Sequence, residues 1–189
     1  MMAWEGCYKG VNSCLSHFTM FACIAFVLSA LAVAVSAQTP FAIVNNCGYQ
    51  VDPAFFPAAT ASDGSLTGGF PLAAGASADV TLGATWSGRI WGRTGCDADG
   101  NCQTGGCGAE SCTGPAGAGP TLAQFTLDGW SNLDFFNPST ADGFNLALTI
   151  VPGPQCSTAA QSCTAEGQGN GCGSTSSCPT GTNYTIQFC

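Results

Sequence analysis

Asp134 and Asp142, eight residues apart in "LDFFNPSTADGFN", are the pair of carboxylates best spaced to move a proton in this chain. Cleaving a glycosidic bond takes two such groups, one protonated as general acid and one ionised as nucleophile or base. Other acids lie within reach in sequence. Asp128 precedes Asp134 by six residues, and Asp97, Asp99 and Glu110 sit in cysteine-rich loops that could face the same side. The competing reading of each is a solvated loop carboxylate or a turn-capping Asp. Phe135, Phe136 and Phe144 flank these acids, with Trp130 close by. An exposed ring there would stack on the apolar face of a pyranose, although core packing is the more usual fate of Phe. The only cations after residue 37 are Arg89 and Arg93, which bracket Trp91 in "WSGRIWGRTGC".

Composition removes most other chemistry. Residues 1–37 read as a targeting segment, with the apolar run "MFACIAFVLSALAVAV" ending in "VSA" before Gln38. The run is shorter than the roughly 20 residues a membrane-spanning helix needs, so the reading is a cleaved secretory signal rather than an anchor. Whether translation starts at Met1 or Met20 is open in the sequence. Residues 38–189 then hold no His, Lys or Met, and ten carboxylates against two Arg give 2 − 10 = −8. Without His there is no Ser-His-Asp or Cys-His catalysis. No CxxC-type ligand spacing is present, so neither a metal nor a cofactor is expected. Phosphate binding needs a basic stripe, which argues against nucleic acid. The acidic surface suits neutral or cationic ligands, in an extracellular monomer with no membrane contact once the signal is gone.

The remaining segment must position these residues with strands. Amphipathic helical periodicity is missing, and short strand-like runs recur between Gly/Pro/Ser/Asp clusters. They fall at 40–46, 77–83, 88–94, 121–129, 144–151 and 183–189. Alternation puts Ser87, Arg89, Trp91 and Arg93 on one face of the third run, and Phe144, Leu146, Leu148 and Ile150 on one face of the fifth. The expected class is all-β, a sandwich or barrel, in one domain over 38–189. Ten cysteines remain there, an even number as a disulfide framework requires, and spacing alone leaves their connectivity open. Asn183-Tyr184-Thr185 is a glycosylation sequon, usable if the closing strand is exposed there.

"WSGRIWGRTGC", "CQTGGCG", "TLAQFTL", "NLDFF" and "DGFNLALTIVP" together resemble the thaumatin-like (pathogenesis-related) family, over about 40–189. The chain resembles the family's small ten-cysteine class. This implies a disulfide-stapled β-sandwich whose second disulfide-rich domain is largely absent. The resemblance also implies the bridges Cys47–Cys189, Cys96–Cys102, Cys107–Cys112, Cys156–Cys178 and Cys163–Cys172. Family members carry a cleft lined by an Arg, a Glu and three Asp, associated with binding or hydrolysis of β-1,3-glucan. Carried over, the Arg falls on Gly117, the Glu on Gln124 and one Asp on Asn137. One Asp survives as Asp142, and the last lies in the missing region.

Amides can hydrogen-bond a sugar hydroxyl but cannot carry its proton. The resemblance therefore implies a secreted protein that binds β-1,3-glucan or fungal wall carbohydrate through Gln124, Asn137, Asp142, Phe135 and Phe136, without efficient hydrolysis. Such a protein would serve antifungal defence or wall remodelling. An endo-β-1,3-glucanase using Asp142 with Asp134 is the alternative, and an enzyme inhibitor or secreted effector is a third reading. Arg89, Trp91 and Arg93 read as architecture, with the Arg side chains pairing carboxylates and covering the indole, ahead of a ligand-facing surface.

Overall fold

The computed structural model describes residues 38–117 and 119–189, so the expected signal over 1–37 lies outside the described residues. Eleven strands follow one another with no helix among those residues. They are β1 Thr39–Asn45, β2 Val51–Ala61, β3 Leu66–Gly69, β4 Ser77–Leu82, β5 Ser87–Thr94, β6 Leu122–Thr126, β7 Leu133–Ser139, β8 Leu148–Pro152, β9 Gln161–Cys163, β10 Ser176–Pro179 and β11 Tyr184–Phe188. The all-β expectation holds.

The strands form one curled sheet in the order β10-β7-β6-β5-β2-β4-β1-β11-β8-β9, with β3 beside β2. β2 lets the sheet fold over on itself. Its residues 51–56 pair with β5, and Thr60 and Ala61 pair with β4. The two halves then face each other like the layers of a sandwich. Phe41 on β1 and Tyr184 on β11 meet Phe125 and Phe136 from β6 and β7, with ring centroids 5.0–5.7 Å apart in a four-ring cluster. Offset and edge-on contacts of this kind add to the area the rings bury. Ile43, Val80, Phe55, Ile90, Ile150 and Ile186 fill the rest of that core.

Five of the six expected runs start within one residue of a strand. The sixth, 144–151, becomes regular only at Leu148. Residues before it are held instead by side-chain bonds, from Thr121 Oγ1 to the Leu146 carbonyl and from the Thr121 N–H to Asn145 Oδ1. β2, β3, β7, β9 and β10 were absent from the sequence expectation. Prolines explain two of these. Pro57 lies where β2 leaves β5 for β4, and Pro138 lies beyond the end of β10, so each sits where a missing N–H costs little.

All five implied disulfides are present. Cys47–Cys189 ties the chain after β1 to the last residue, across a separation of 142 residues, and in the chain-entropy model a closure that long is worth roughly 5 kcal/mol. Cys156–Cys178 joins the segment after β8 to β10, linking the two edges of the curled sheet. Residues 153–178 contribute only the short β9 and β10 and no apolar cluster of their own.

Candidate functional site

Cross-strand register decides which predicted residues meet. On the outer face of β2, β5, β6 and β7, one row reads Ala54, Trp91, Leu122, Ser139. The next reads Phe56, Arg89, Gln124, Asn137, and the third Ser87, Thr126, Phe135. The intervening residues, among them Ile90, Ala123, Phe125 and Phe136, point into the main core.

The first row is covered. Ala54, Trp91 and Leu122 form a second small core with Cys112. The Cys107–Cys112 loop lies on it, and Trp91 Nε1 donates to the Gly105 carbonyl at 2.8 Å. Gly68 lets the loop approach, since a Cβ there would run into the Cys112 carbonyl. Arg93 belongs to this covered end and is 0 % exposed. It donates from Nε to the Asp52 carbonyl (3.2 Å) and from Nη1 to the Ala109 carbonyl (2.7 Å). Burial lowers its pKa, and the charges of Asp52 and Glu110 partly restore it. The architectural reading of Arg93 and Trp91 stands, with backbone carbonyls as the partners where carboxylates were expected.

The second row is half open. Asn137 Nδ2 donates to Gln124 Oε1 at 3.3 Å. Arg89, their neighbour in the row, donates from Nη1 to Asp142 Oδ2 at 3.0 Å, with both side chains partly exposed. Asp142 arrives on the loop after β7. The Ala141 N–H donates to Ser139 Oγ, the Gly143 N–H to the Thr140 carbonyl, and the Gly119 N–H to the Asp142 carbonyl. Gly143 is required there: its φ is +132°, and a Cβ would press on Gly119. Asn145 anchors the loop's exit through Nδ2 to the Gly92 carbonyl and to Thr104 Oγ1. Gln124, Asn137 and Asp142 thus converge, and Arg89 joins them. Alternation alone had put Arg89 on one face with Trp91 and Arg93. Only the register separates its open surroundings from theirs.

Asp134 does not join. The alternation of β7 turns it inward, fully buried. Its Oδ1 accepts the Asp128 N–H (2.9 Å) and its Oδ2 accepts the Tyr184 hydroxyl (3.1 Å). Burial raises its pKa, against the lowering effect of these hydrogen bonds. It also raises that of Tyr184. Asp134 therefore faces the core while Asp142 pairs with Arg89 on the outer face, and the pair that the glucanase alternative would use is not assembled. Phe136 is likewise corrected: it is 1 % exposed and packs on Phe125 and Tyr184, so it cannot stack on a ligand. Phe135 is on the outer face and half buried. Gly117 is exposed with open space about it.

Of the remaining loop acids, Asp97 is structural. Asp97 accepts N–H bonds from Asp99 and Asn101 and the Asn101 side-chain amide, which lowers its pKa and closes the Cys96–Cys102 turn. Asp99 and Glu110 are exposed loop residues. Asn183 is exposed just before β11, with Tyr184 buried.

Curled sheet, pinned loops and five bridges define a disulfide-braced β scaffold of the thaumatin-like class. The Thaumatin family model matches residues 45–179, and the chain belongs to that family. It is 39 % identical over 140 residues to thaumatin-like protein PWIR2 of Triticum aestivum, covering 71 % of this chain and 74 % of that protein. It is 38 % identical over 181 residues to thaumatin-like pathogenesis-related protein 3 of Avena sativa, covering 88 % of this chain and 96 % of the relative. Among solved structures, the thaumatin-like xylanase inhibitor TLXI superposes with a TM-score of 0.59 at 29 % identity, over 80 % of this chain and 99 % of the inhibitor.

Proposed function

We propose that this defence-related thaumatin-like protein is exported after loss of residues 1–37 and binds β-1,3-glucan or a similar wall polysaccharide, as a monomer, without efficient hydrolysis. The observation that carries the reading is the second outer-face row. Its polar groups are the amides of Gln124 and Asn137 and the guanidinium of Arg89, which is bonded to the carboxylate that reaches the row, Asp142. Amides and a neutralised ion pair can donate to and accept from sugar hydroxyls. Acid–base cleavage needs a second carboxylate facing the same bond at about 5–10 Å, and Asp134 faces the core instead. Half-buried Phe135 in the next row offers apolar surface beside the amides. The exposed side chain of Asn183 supports glycosylation at the sequon.

The test is co-sedimentation with insoluble β-1,3-glucan combined with a reducing-end assay on laminarin. Retention on the solid with no release of reducing ends is expected. Reducing ends that vanish in an Asp142→Asn variant would replace this reading with the glucanase. A second reading, inhibition of a glycoside hydrolase, draws on the likeness to a xylanase inhibitor over nearly that protein's whole length. It predicts saturable inhibition of a purified xylanase and no retention on glucan.

A further inference from the structure

The turn between β6 and β7 holds a combination that neither packing nor the second row explains. Trp130 at its apex is 83 % exposed, while Trp86 and Trp91 are 8 % and 0 % exposed. Three non-glycine residues around it have left-handed backbones: Asp128 (φ 47°), Ser131 (φ 65°) and Asn132 (φ 55°). Such conformations are costly away from Gly and persist only where the surroundings impose them.

The surroundings do impose them. The Gly129 N–H donates to the Leu133 carbonyl, and the Asp128 N–H donates to the buried Asp134 carboxylate. Thr180, just past β10, ties both sides, donating from its N–H to the Asn132 carbonyl and from Oγ1 to Asp128 Oδ1. A fully buried carboxylate thus braces the base of a turn that presents an indole to solvent.

The turn's place on the sheet says which residues lie beside it. Gly129 lies against the Phe135 ring, where a Cβ would come within 3.0 Å. Phe135 shares the third outer-face row with Ser87 and Thr126, whose hydroxyls are 3.0 Å apart. That row stands two residues, roughly 7 Å, from Gln124 and Asn137. From Asp142 the outer face of β5, β6 and β7 therefore carries a neutralised ion pair, two amides, two hydroxyls and a phenyl ring up to the turn that bears Trp130. Rows of neutral donors and acceptors ending in an aromatic plate, with the exposed Asp128 carboxylate in the same turn, suit an uncharged linear polysaccharide rather than an anion.

We infer that Trp130 is a distal stacking subsite for a pyranose ring, so that an extended neutral glycan lies along the β6–β7 hairpin from Asp142 to Trp130. This rests on the proposed carbohydrate binding and adds a dependence on ligand length. Asp134 and Thr180 act as positioning residues for the turn.

The test is titration of the purified protein with β-1,3-linked disaccharide and hexasaccharide, followed by calorimetry and by tryptophan emission. For the hexasaccharide, Trp130→Ala is expected to weaken binding about tenfold, with Trp130→Phe retaining most of it. For the disaccharide, Trp130→Ala should bind as wild type does. Hexasaccharide should shift wild-type emission to the blue, and Trp130→Phe should abolish the shift. Equal hexasaccharide affinity in wild type and Trp130→Ala would overturn the subsite and leave carbohydrate binding intact. Equal losses for both ligand lengths would also overturn it. Failure of the wild type to bind either ligand would overturn the carbohydrate reading and this inference with it.

Discussion

Arg89 and Arg93 lie on the same face of one strand, four residues apart, yet they belong to different kinds of surface. Arg93 is shut beneath the Cys107–Cys112 loop, bonded to backbone carbonyls, with Trp91 and Leu122 making a second core beside it. Arg89 is at the uncovered end, paired with Asp142 at 3.0 Å and flanked by Gln124 and Asn137. The strand itself does not distinguish them. The difference comes from a loop that two short disulfides pin over one end of the face and leave off the other. A face covered by a stapled loop becomes core; left uncovered, it can meet a ligand.

Removing the buried arginine should break the comparison most severely. Arg93→Met leaves the buried Asp52 carbonyl and the part-buried Ala109 carbonyl without their donor, at a cost of about 2 kcal/mol together. Urea unfolding should report that loss, whereas Arg89→Ala, which breaks a solvent-facing ion pair, should cost about 0.5 kcal/mol. Equal losses at the two positions would contradict the division into covered and open ends.

Next in size is the staple. Replacing Cys107 and Cys112 together by Ala should cost about 2 kcal/mol, the loop-closure value for so short a ring. It should also make Trp91 accessible to a fluorescence quencher while the affinity for glucan changes little.

The third expectation concerns pH and sharpens the contrast across β7. Burial raises the folded-state pKa of Asp134 above its ordinary 3.8. Above the raised value the carboxylate is charged in both states, and its burial weakens the fold. As pH falls from there towards 3.8 the folded form takes up the proton first, so stability should rise. Asp97 and Asp63 are shifted the other way by hydrogen bonds, from Asn101 and Ser65, so their contribution is lost as pH falls below 3.8. Melting temperature should therefore climb on mild acidification and fall again in stronger acid. In Asp134→Asn the climb should disappear and the acid limb remain. A wild-type melting temperature that falls steadily from neutral pH downward would contradict the inward placement of Asp134.

The sequence made some of this legible and hid the rest for identifiable reasons. Alternating runs such as "PFAIVNN" and "NYTIQFC" gave their strands away, because one face is buried and one is not. β2 and β7 stayed hidden behind Pro53, Pro57 and Pro138, since a proline's tolerance depends on which neighbour the strand has. The bridges were readable through family resemblance, where spacing alone left them open. At the site, Gln124, Asn137 and Asp142 could be named from motifs. Asp134 could not be excluded, because its parity with Asn137 matters only once β7 is known to be a strand with a core face. Arg89 was visible as a charge but not as a neighbour of the amides, which only the pairing of β5 with β6 reveals.

The most direct measurement is titration of isotope-labelled protein with a soluble β-1,3-linked oligosaccharide, following side-chain amide signals by NMR. Those of Gln124 and Asn137 should move first and saturate with the added ligand, while the buried amide of Asn45 stays fixed. Shifts confined to other surfaces, or none at all at saturating sugar, would contradict the assignment of the open end of this sheet as a carbohydrate-binding face.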